Sequence, residues 1–167
     1  ISIHTPCMFD VTYGISYRFM GRMATVGNST DDIDFGLLTA ANSIFTDAIR
    51  ANLDVATAAI YLAKFHIDAN AANIFFDTDD NVTVRSADTG QINVVGTNKQ
   101  FDILVRPSGL VEAYINYSRV NLSTAHSMLT PATLVAGFVN IEKSAGTGVP
   151  EARFSRMITK GYAPITL

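Results

Sequence analysis

Two alternating segments joined by a turn, at residues 100–117, constrain the fold more than any other feature of the sequence. Within each segment, apolar side chains recur at every second position, which is the period of a strand with one buried face. They are Phe101, Ile103 and Val105 in the first segment and Val111, Ala113 and Ile115 in the second. Between the segments, Pro107 presets the backbone of a type I turn and Gly109 closes it. We therefore predict a β-hairpin that covers one core, to which Phe138 and Ile141 also contribute.

Similar segments recur along the chain about every 8 to 12 residues, separated by turn clusters, a spacing typical of β-sandwiches and barrels. We predict one or two strands at residues 9–25, further strands at 33–38, 59–67, 73–77, 81–86, 92–95, 134–143 and 152–162, and turns at 77–81 and 88–90. Apolar residues at helical spacing predict one short helix at residues 43–50. The predicted fold class is therefore all-β, an antiparallel sandwich with one short helix.

A single domain suits the length of the chain, because 167 residues can bury an adequate core. We assign residues 9–167 to this domain and residues 1–8 to an N-terminal arm or linker. The net charge of −3 and the scattered distribution of 12 basic residues do not favour nucleic acid. No apolar run reaches the roughly 18 residues that a membrane span needs. We expect neither nucleic acid nor a membrane as a partner.

Four motifs follow one another in the second half of the chain. They are F-x-I-x-V-x-x-x-G-x-V-x-x-Y-I-N at residues 101–116, a Thr-Pro pair within 129–131, I-E-K-S-A-G-T at 141–147, and a closing strand that ends in Tyr162. Their order resembles concanavalin A-like jelly-roll domains of the kind found in virion structural proteins of tailed bacteriophages. The resemblance departs at the end of the Y-I-N strand, where an Asn-Gly turn is usual but Asn116 is followed by Tyr117.

The resemblance implies a jelly-roll fold and a structural role in a tailed-phage virion, as a capsid decoration, fibre or tail-associated domain. It also implies a virion location, after synthesis in the host cytoplasm. The alternative that we carry from a different class of function is a lectin-like module that binds a surface glycan.

Sequence motifs for catalysis are missing. Jelly-roll glucanases carry a Glu-x-Asp-x-Glu strand, which has no match here, so we interpret the acids at positions 31, 32 and 34 as a solvated turn. His4, His66 and His126 lie in unrelated segments and are expected to be structural or surface residues. No Gly-x-Ser-x-Gly elbow and no phosphate-binding loop occurs. We therefore predict that the protein is not an enzyme and needs no cofactor.

One acidic segment has the spacing of a calcium-binding loop. Asp77, Asp79 and Asn81 recur at alternate positions, and Asp88 stands eleven positions after the first. Val82 occupies the position that calcium loops reserve for glycine. The favoured interpretation is therefore a hairpin turn whose acids bind their own backbone, with a calcium site at these residues as the alternative.

A glycan site, if there is one, would use tyrosines, because the chain has no Trp. Aromatic rings stack under the C–H-rich faces of sugars, and nearby amides bind their hydroxyl groups. Tyr114, Asn116 and Tyr117 are the residues that we predict for this role. The competing interpretation is that tyrosines alternating on strands belong to the core or to an interface.

Low charge predicts that part of the apolar surface is covered by a partner. Charged residues make up 16% of the chain, against about 25% in typical soluble domains, and the mean hydropathy is +0.22. Large exposed apolar patches usually mark interaction sites. We therefore expect that the protein does not work as a free monomer. The resemblance to phage decorations and fibres implies a homotrimer or attachment to other virion proteins, and helical spacing makes Ile44, Phe45 and Ile49 an apolar contact stripe.

Overall fold

The structure, a computed structural model, describes residues 2–4, 9–25, 31–39, 61–68, 73–80, 82–128, 134–143 and 151–162. Strands make up about three quarters of these residues. In chain order they are β1 (Ser2–His4), β2 (Phe9–Asp10), β3 (Ile15–Thr25), β4 (Asp31–Thr39), β5 (Tyr61–Asp68), β6 (Asn73–Asp80), β7 (Val84–Ile92), β8 (Lys99–Val105), β9 (Leu110–Ile115), β10 (Ser118–Arg119), β11 (His126–Ser127), β12 (Leu134–Lys143) and β13 (Glu151–Gly161). A 3-10 helix at Val11–Tyr13 joins β2 to β3. No helix in these ranges is both long and apolar enough to cross a membrane.

The strands form two antiparallel sheets. Sheet A has the order β1-β12-β4-β5-β6-β7, with β2 also paired to β12. Sheet B has the order β10-β9-β8-β3-β13, with β11 also paired to β9. The predicted antiparallel β-sandwich is thus confirmed, and Ser2–His4, within the predicted arm, is an edge strand of sheet A.

Aromatic rings from both sheets meet in the core between them. The Phe19 ring of sheet B stacks on Phe35 of sheet A at a centroid distance of 4.5 Å, and Phe101 lies 4.7 Å from Phe35 and 5.1 Å from Phe65. Such pairs stabilise a core by about 0.5–1.5 kcal/mol beyond the burial of their area. Tyr17 adds a polar link, because its buried hydroxyl donates to the Phe138 carbonyl oxygen across the sandwich at 2.9 Å.

The hairpin predicted at residues 100–117 is confirmed as β8 and β9. Arg106 O accepts from Gly109 N at 2.8 Å, and Gly109 adopts a φ of 82°, which glycine tolerates best. All six apolar residues predicted to face inward are in the core. Ile141 is partly buried against it, but Phe138 lies on the other face of its strand with Leu38 and Leu62.

Three local predictions are wrong. Strand β6 continues to Asp80, so the turn predicted to begin at Asp77 comes later. The turn predicted at 88–90 is an irregularity within β7, where Gly90 has a φ of 67° and its N–H donates to the Asp88 carboxylate. The strand predicted at 92–95 is absent, since β7 ends at Ile92 and a loop leads to β8. Short polar side chains that bond their own backbone produce the same sequence signal in turns and in bulges.

Two other predictions concern residues 43–67, of which the structure describes only a part. The strand predicted at 59–67 is observed as β5, although its first two predicted residues lie outside the described ranges. The helix predicted at 43–50 also lies outside them. The division of the chain into an arm and a domain stays a prediction.

Candidate functional site

The outer face of sheet B, which points away from the core, is polar and accessible. On β3, Ser16, Arg18 and Met20 alternate with inward-facing core residues, so their side chains lie on this outer face. The strand register places Asp102 of β8 and Ile158 of β13 on either side of Arg18. Three strands that are distant in the sequence therefore supply one row of the surface.

Two cavities lie along this face, and we call them together the sheet B groove. The first has a volume of about 470 Å³, and its lining includes Ser16, Arg18, Asp102, Tyr114, Lys160 and Tyr162. The second has a volume of about 620 Å³, and its lining includes Arg22, Lys99, Gln100, Asn116, Arg153 and Phe154. Tyr117 lines both cavities. Each volume falls in the range of about 300–1,000 Å³ that is usual for ligand sites.

Tyr117 holds its position through an unusual backbone conformation. Asn116 and Tyr117 have φ values of 50° and 67° and join β9 to β10 as a two-residue hairpin turn. This turn needs positive φ at both positions, which is why Asn-Gly is the common pair. A bulky residue at the glycine position is strained by roughly 1–2 kcal/mol. The Tyr117 side chain is nevertheless 75% exposed, so burial of the ring does not compensate for this strain.

Asn116 ties this turn to the neighbouring strand β8. Its backbone N–H donates to Gln100 O at 2.8 Å, and its side-chain oxygen accepts from Gln100 N at 2.9 Å. The two bonds fix the position of the turn relative to the groove. Because the Asn116 side-chain oxygen already accepts this bond, the amide nitrogen is the atom that would contact a glycan. The role of Asn116 in glycan binding stays a prediction.

An ion pair orients Arg18 in the groove. Its Nε donates to Asp102 Oδ1 at 2.5 Å, while Gln100 Nε2 donates to Asp102 Oδ2, also at 2.5 Å. Asp102 is thus held from both sides, and it fixes Arg18 through one nitrogen only. The hydrogen bond to Asp102 raises the pKa of Arg18, so the guanidinium group stays charged.

Tyr114, the second predicted tyrosine, belongs to a polar network on β9. Its hydroxyl donates to Glu112 Oε2 at 3.2 Å, and the same oxygen accepts from Arg106 at 2.8 Å. Burial alone raises the pKa of Glu112, but the bonds from Arg106 and Tyr114 outweigh it and lower the pKa overall. Burial and the bond to Glu112 raise the pKa of Tyr114. The ring therefore enters the groove as a neutral phenol.

The groove also contains residues that the sequence analysis missed. Tyr162 is 51% exposed, and its hydroxyl lies 3.3 Å from Ser16 Oγ. Lys160 and Arg18 line the same cavity. Alternation along β3 and β13 is the signal that could have placed each of these side chains on an outer face. The pairing of the first long strand with the last one was not visible in the sequence.

A second cluster of charges lies buried on the outer face of sheet A. Lys64 Nζ lies 2.6 Å from Asp34 Oδ1 and 3.7 Å from Asp77 Oδ2, and all three side chains are 3–4% exposed. His66 Nδ1 lies 2.9 Å from Asp34 Oδ1. Burial raises the pKa of Asp34, but Lys64 and His66 outweigh it and lower the pKa overall. The interpretation of Asp34 as part of a solvated turn is therefore wrong.

Two of the three predicted calcium ligands lie in the described residues, and the calcium site stays a prediction. Asp77 and Asp79 are buried in β6, where Lys64 lies beside Asp77, and Asn81 is outside the described ranges. Asp80 closes the turn instead, since its Oδ1 accepts from Val82 N and Thr83 N at 3.1 and 2.7 Å. No group of three or more metal-binding side chains occurs in the part of the chain that the structure describes.

Of the remaining predicted residues, His126 belongs neither to the sheet B groove nor to the charge cluster of sheet A. His126 is buried, its Nδ1 lies 2.8 Å from Thr78 Oγ1 across the sandwich, and burial lowers its pKa. The contact stripe of Ile44, Phe45 and Ile49 is not among the described residues.

Comparison with known proteins identifies relatives by fold only. No family model matches the sequence, and no curated protein matches it. Solved structures do match. The carbohydrate recognition domain of Emp47p has a TM-score of 0.68 at 10% identity, with 97% of this chain and 78% of that one covered. An alginate lyase from Pseudomonas aeruginosa has a TM-score of 0.63 at 13% identity, with 96% and 73% covered.

A third match is carbohydrate-binding module CBM66 from Bacillus subtilis, with a TM-score of 0.56 at 10% identity and 96% and 81% of the two chains covered. At such identities the likeness shows the fold alone, which is the concanavalin A-like jelly roll that the sequence predicted. None of these three structures is a phage protein.

The prediction that the protein is not an enzyme is corrected by this comparison. Alginate lyases share the fold with carbohydrate-binding domains, and further lyases match it as well. The missing glucanase motif therefore does not exclude catalysis on this fold.

Proposed function

We propose that this protein is a carbohydrate-binding domain whose ligand lies in the sheet B groove. The observation that carries the proposal is the exposure and backbone strain of Tyr117. Its positive φ would suit glycine without strain, yet the position holds a large aromatic side chain that is 75% exposed. Strained residues persist where the surrounding structure or the function requires them. A ring that is mostly exposed, and yet lines two cavities, is well placed to receive a ligand.

The chemistry of the groove suits a sugar. Tyr114, Tyr117 and Tyr162 supply aromatic rings with polar ends around one cavity. Arg18, Lys160 and Ser16 supply hydrogen-bond donors beside them. Sugars combine apolar C–H faces with hydroxyl groups, so a ligand of this kind can use both sets of side chains at once.

The structural comparisons support this function better than a role in a phage virion. A carbohydrate recognition domain and a carbohydrate-binding module share the fold over most of this chain. Because a lyase shares it too, the groove could also act on the carbohydrate that it binds. The proposal therefore concerns binding, and its test includes a search for cleaved products.

A glycan array probed with the purified protein tests the proposal, followed by calorimetric titration of any bound glycan. We expect binding that Tyr117→Ala weakens by about thirtyfold or more, since loss of an aromatic anchor at a binding hot spot costs about 2 kcal/mol or more. Tyr13→Ala is the matched control, because Tyr13 is a 45% exposed tyrosine outside the groove. Chromatography of the same incubations detects cleavage. Equal losses in the two variants, or no bound glycan at all, would refute the proposal.

The virion role, the virion location and the homotrimer stay predictions. Mass spectrometry of purified virions would find a structural component in many copies. Analytical ultracentrifugation of the wild-type protein and of a Phe45→Ser/Ile49→Ser variant tests the predicted contact stripe. A variant that associates as well as the wild type would remove these residues from the interface.

A further inference from the structure

The charges of the chain are divided between its two sheets. Three strands of sheet B, β8, β3 and β13, lie beneath the groove. Together they carry six basic residues and two acidic ones. The three central strands of sheet A, β4, β5 and β6, carry seven acidic residues and one basic one. The net charge of −3 conceals this division. The groove therefore presents a positive surface on an acidic protein.

Most of the positive charges at the groove have no ion-pair partner among the described residues. In the described ranges, Arg22, Lys99, Arg156 and Lys160 form no ion pair. Arg22 and Lys99 line one cavity and Lys160 lines the other. Like charges gathered on one face repel each other, which destabilises the free protein slightly and favours a bound anion.

Arg18 is placed to bind a planar anion. Its Nε is bonded to Asp102, and among the described residues no other hydrogen bond engages its guanidinium group. The remaining N–H groups form part of a rigid fork that matches a carboxylate. The side chain is 42% exposed and lines the cavity that contains the three tyrosines. A sugar stacked on a tyrosine would thus bring a substituent within reach of a pre-oriented arginine.

We propose that the ligand of the sheet B groove is an acidic polysaccharide whose sugar units carry carboxylates, and that Arg18 binds one of these carboxylates. This inference rests on the proposed carbohydrate-binding function and specifies its ligand class. The two cavities that meet at Tyr117 suit more than one sugar unit. Asp102 and Glu151 lie among the basic residues, so the surface fits charges spaced along a polymer better than the dense phosphates of nucleic acid.

A pair of matched polymers tests the inference. Polygalacturonate, polymannuronate and polyguluronate are compared with the same polymers after chemical reduction of their carboxylates to neutral alcohols, by calorimetric titration. We expect at least one polyuronate to bind about tenfold or more tightly than its reduced form, with an affinity that falls as salt is added. Arg18→Gln should remove most of this preference, so that a polyuronate and its reduced form bind the variant with similar affinities. Arg85→Gln, on sheet A, is the control that should retain the preference.

The outcomes separate the two proposals. Binding of reduced polymers or other neutral glycans, with no preference for carboxylates, would overturn the acidic ligand class and leave the carbohydrate-binding function standing. A failure to bind any glycan, charged or neutral, would overturn both. Single-stranded DNA that binds as tightly as the best polyuronate, and that loses affinity equally in Arg18→Gln, would show general attraction of polyanions and overturn the inference. An Arg18→Gln variant with an intact preference would overturn the role of Arg18.

Discussion

The outer faces of the two sheets use charge in opposite ways. On sheet A, Asp34, Lys64 and Asp77 are almost fully buried and bond to one another. On sheet B, Arg18 is 42% exposed and Tyr117 is 75% exposed, beside basic residues without ion-pair partners among the described residues. A buried charge must find its partner within the protein, whereas an exposed one remains available to a ligand. We therefore expect the buried charges of sheet A to stabilise the fold and the exposed charges of sheet B to be available for binding.

Removal of the Lys64 charge should cause the largest loss of stability. Lys64→Met leaves Asp34 and Asp77 buried without their cation, and breaking a buried pair in this way costs about 3–5 kcal/mol. Urea unfolding monitored by circular dichroism measures the change. A variant as stable as the wild type would mean that these carboxylates do not depend on Lys64, and the contrast between the two faces would fail.

His66→Gln should have a smaller effect that depends on pH. Burial alone lowers the pKa of His66, but the bond and charge of Asp34 outweigh it and raise the pKa overall. Because the folded state holds the proton more tightly, this stabilisation is complete below the unfolded pKa near 6.5 and is lost as pH rises through the folded pKa. A hydrogen bond between charged groups stabilises by about 1.5–3 kcal/mol.

Unfolding of wild type and His66→Gln over a pH series checks this prediction. The difference in unfolding free energy should be greatest at mildly acidic pH and shrink toward alkaline pH. A difference that grows as pH rises would have the wrong sign and would show that His66 is neutral in the folded protein.

Tyr117→Gly should stabilise the fold and weaken the proposed glycan binding. Glycine removes the strain of the positive φ at this position, a gain of about 1 kcal/mol, while the ring is lost from the groove. Tyr117→Ala is the matched control, because it removes the ring and keeps the strain. Urea unfolding should therefore rank glycine above alanine, and both should lose glycan affinity. Equal stabilities for the two variants would show that the turn is not strained.

Lys160→Met on sheet B should have the smallest effect on stability. Its charge is exposed and has no ion pair among the described residues, so the expected change lies within about 0.5 kcal/mol. Affinity for an acidic glycan should fall in the same variant. A loss of stability comparable to that of Lys64→Met would remove the distinction between the two faces.

Much of sheet B could be predicted from local sequence signals. The hairpin of β8 and β9 combines period-two alternation with Pro107 and Gly109, and these signals require no distant contact. Tyr114 and Tyr117 could be identified as candidate ligand platforms from the same local pattern, because Tyr114 lies in β9 and Tyr117 follows that strand. Arg18, Lys160 and Tyr162 were missed, since strand pairing between distant parts of the chain determines that they line one cavity with those tyrosines.

The acids of sheet A show where local reasoning failed. The segment around Asp34 reads as a solvated turn, because short acidic residues usually lie in turns at the surface. Register with β5 places Lys64 and His66 beside Asp34, and a buried carboxylate is tolerable only with such partners. The run of acids in β6 is likewise interpreted as a turn from the sequence, although Asp77, Asp79 and Asp80 all lie in the strand and Asp77 pairs with Lys64.

The sequence by itself determined the fold class, the central hairpin and the alternation of its faces, because period-two patterns and turn residues act over a few neighbouring positions. Only the tertiary structure decided which charges are buried together and which remain exposed on the surface. That outcome depends on the order and register of strands that are far apart in the chain. Acidic and basic side chains are therefore buried together on sheet A, whereas several basic side chains of sheet B form no ion pair among the described residues.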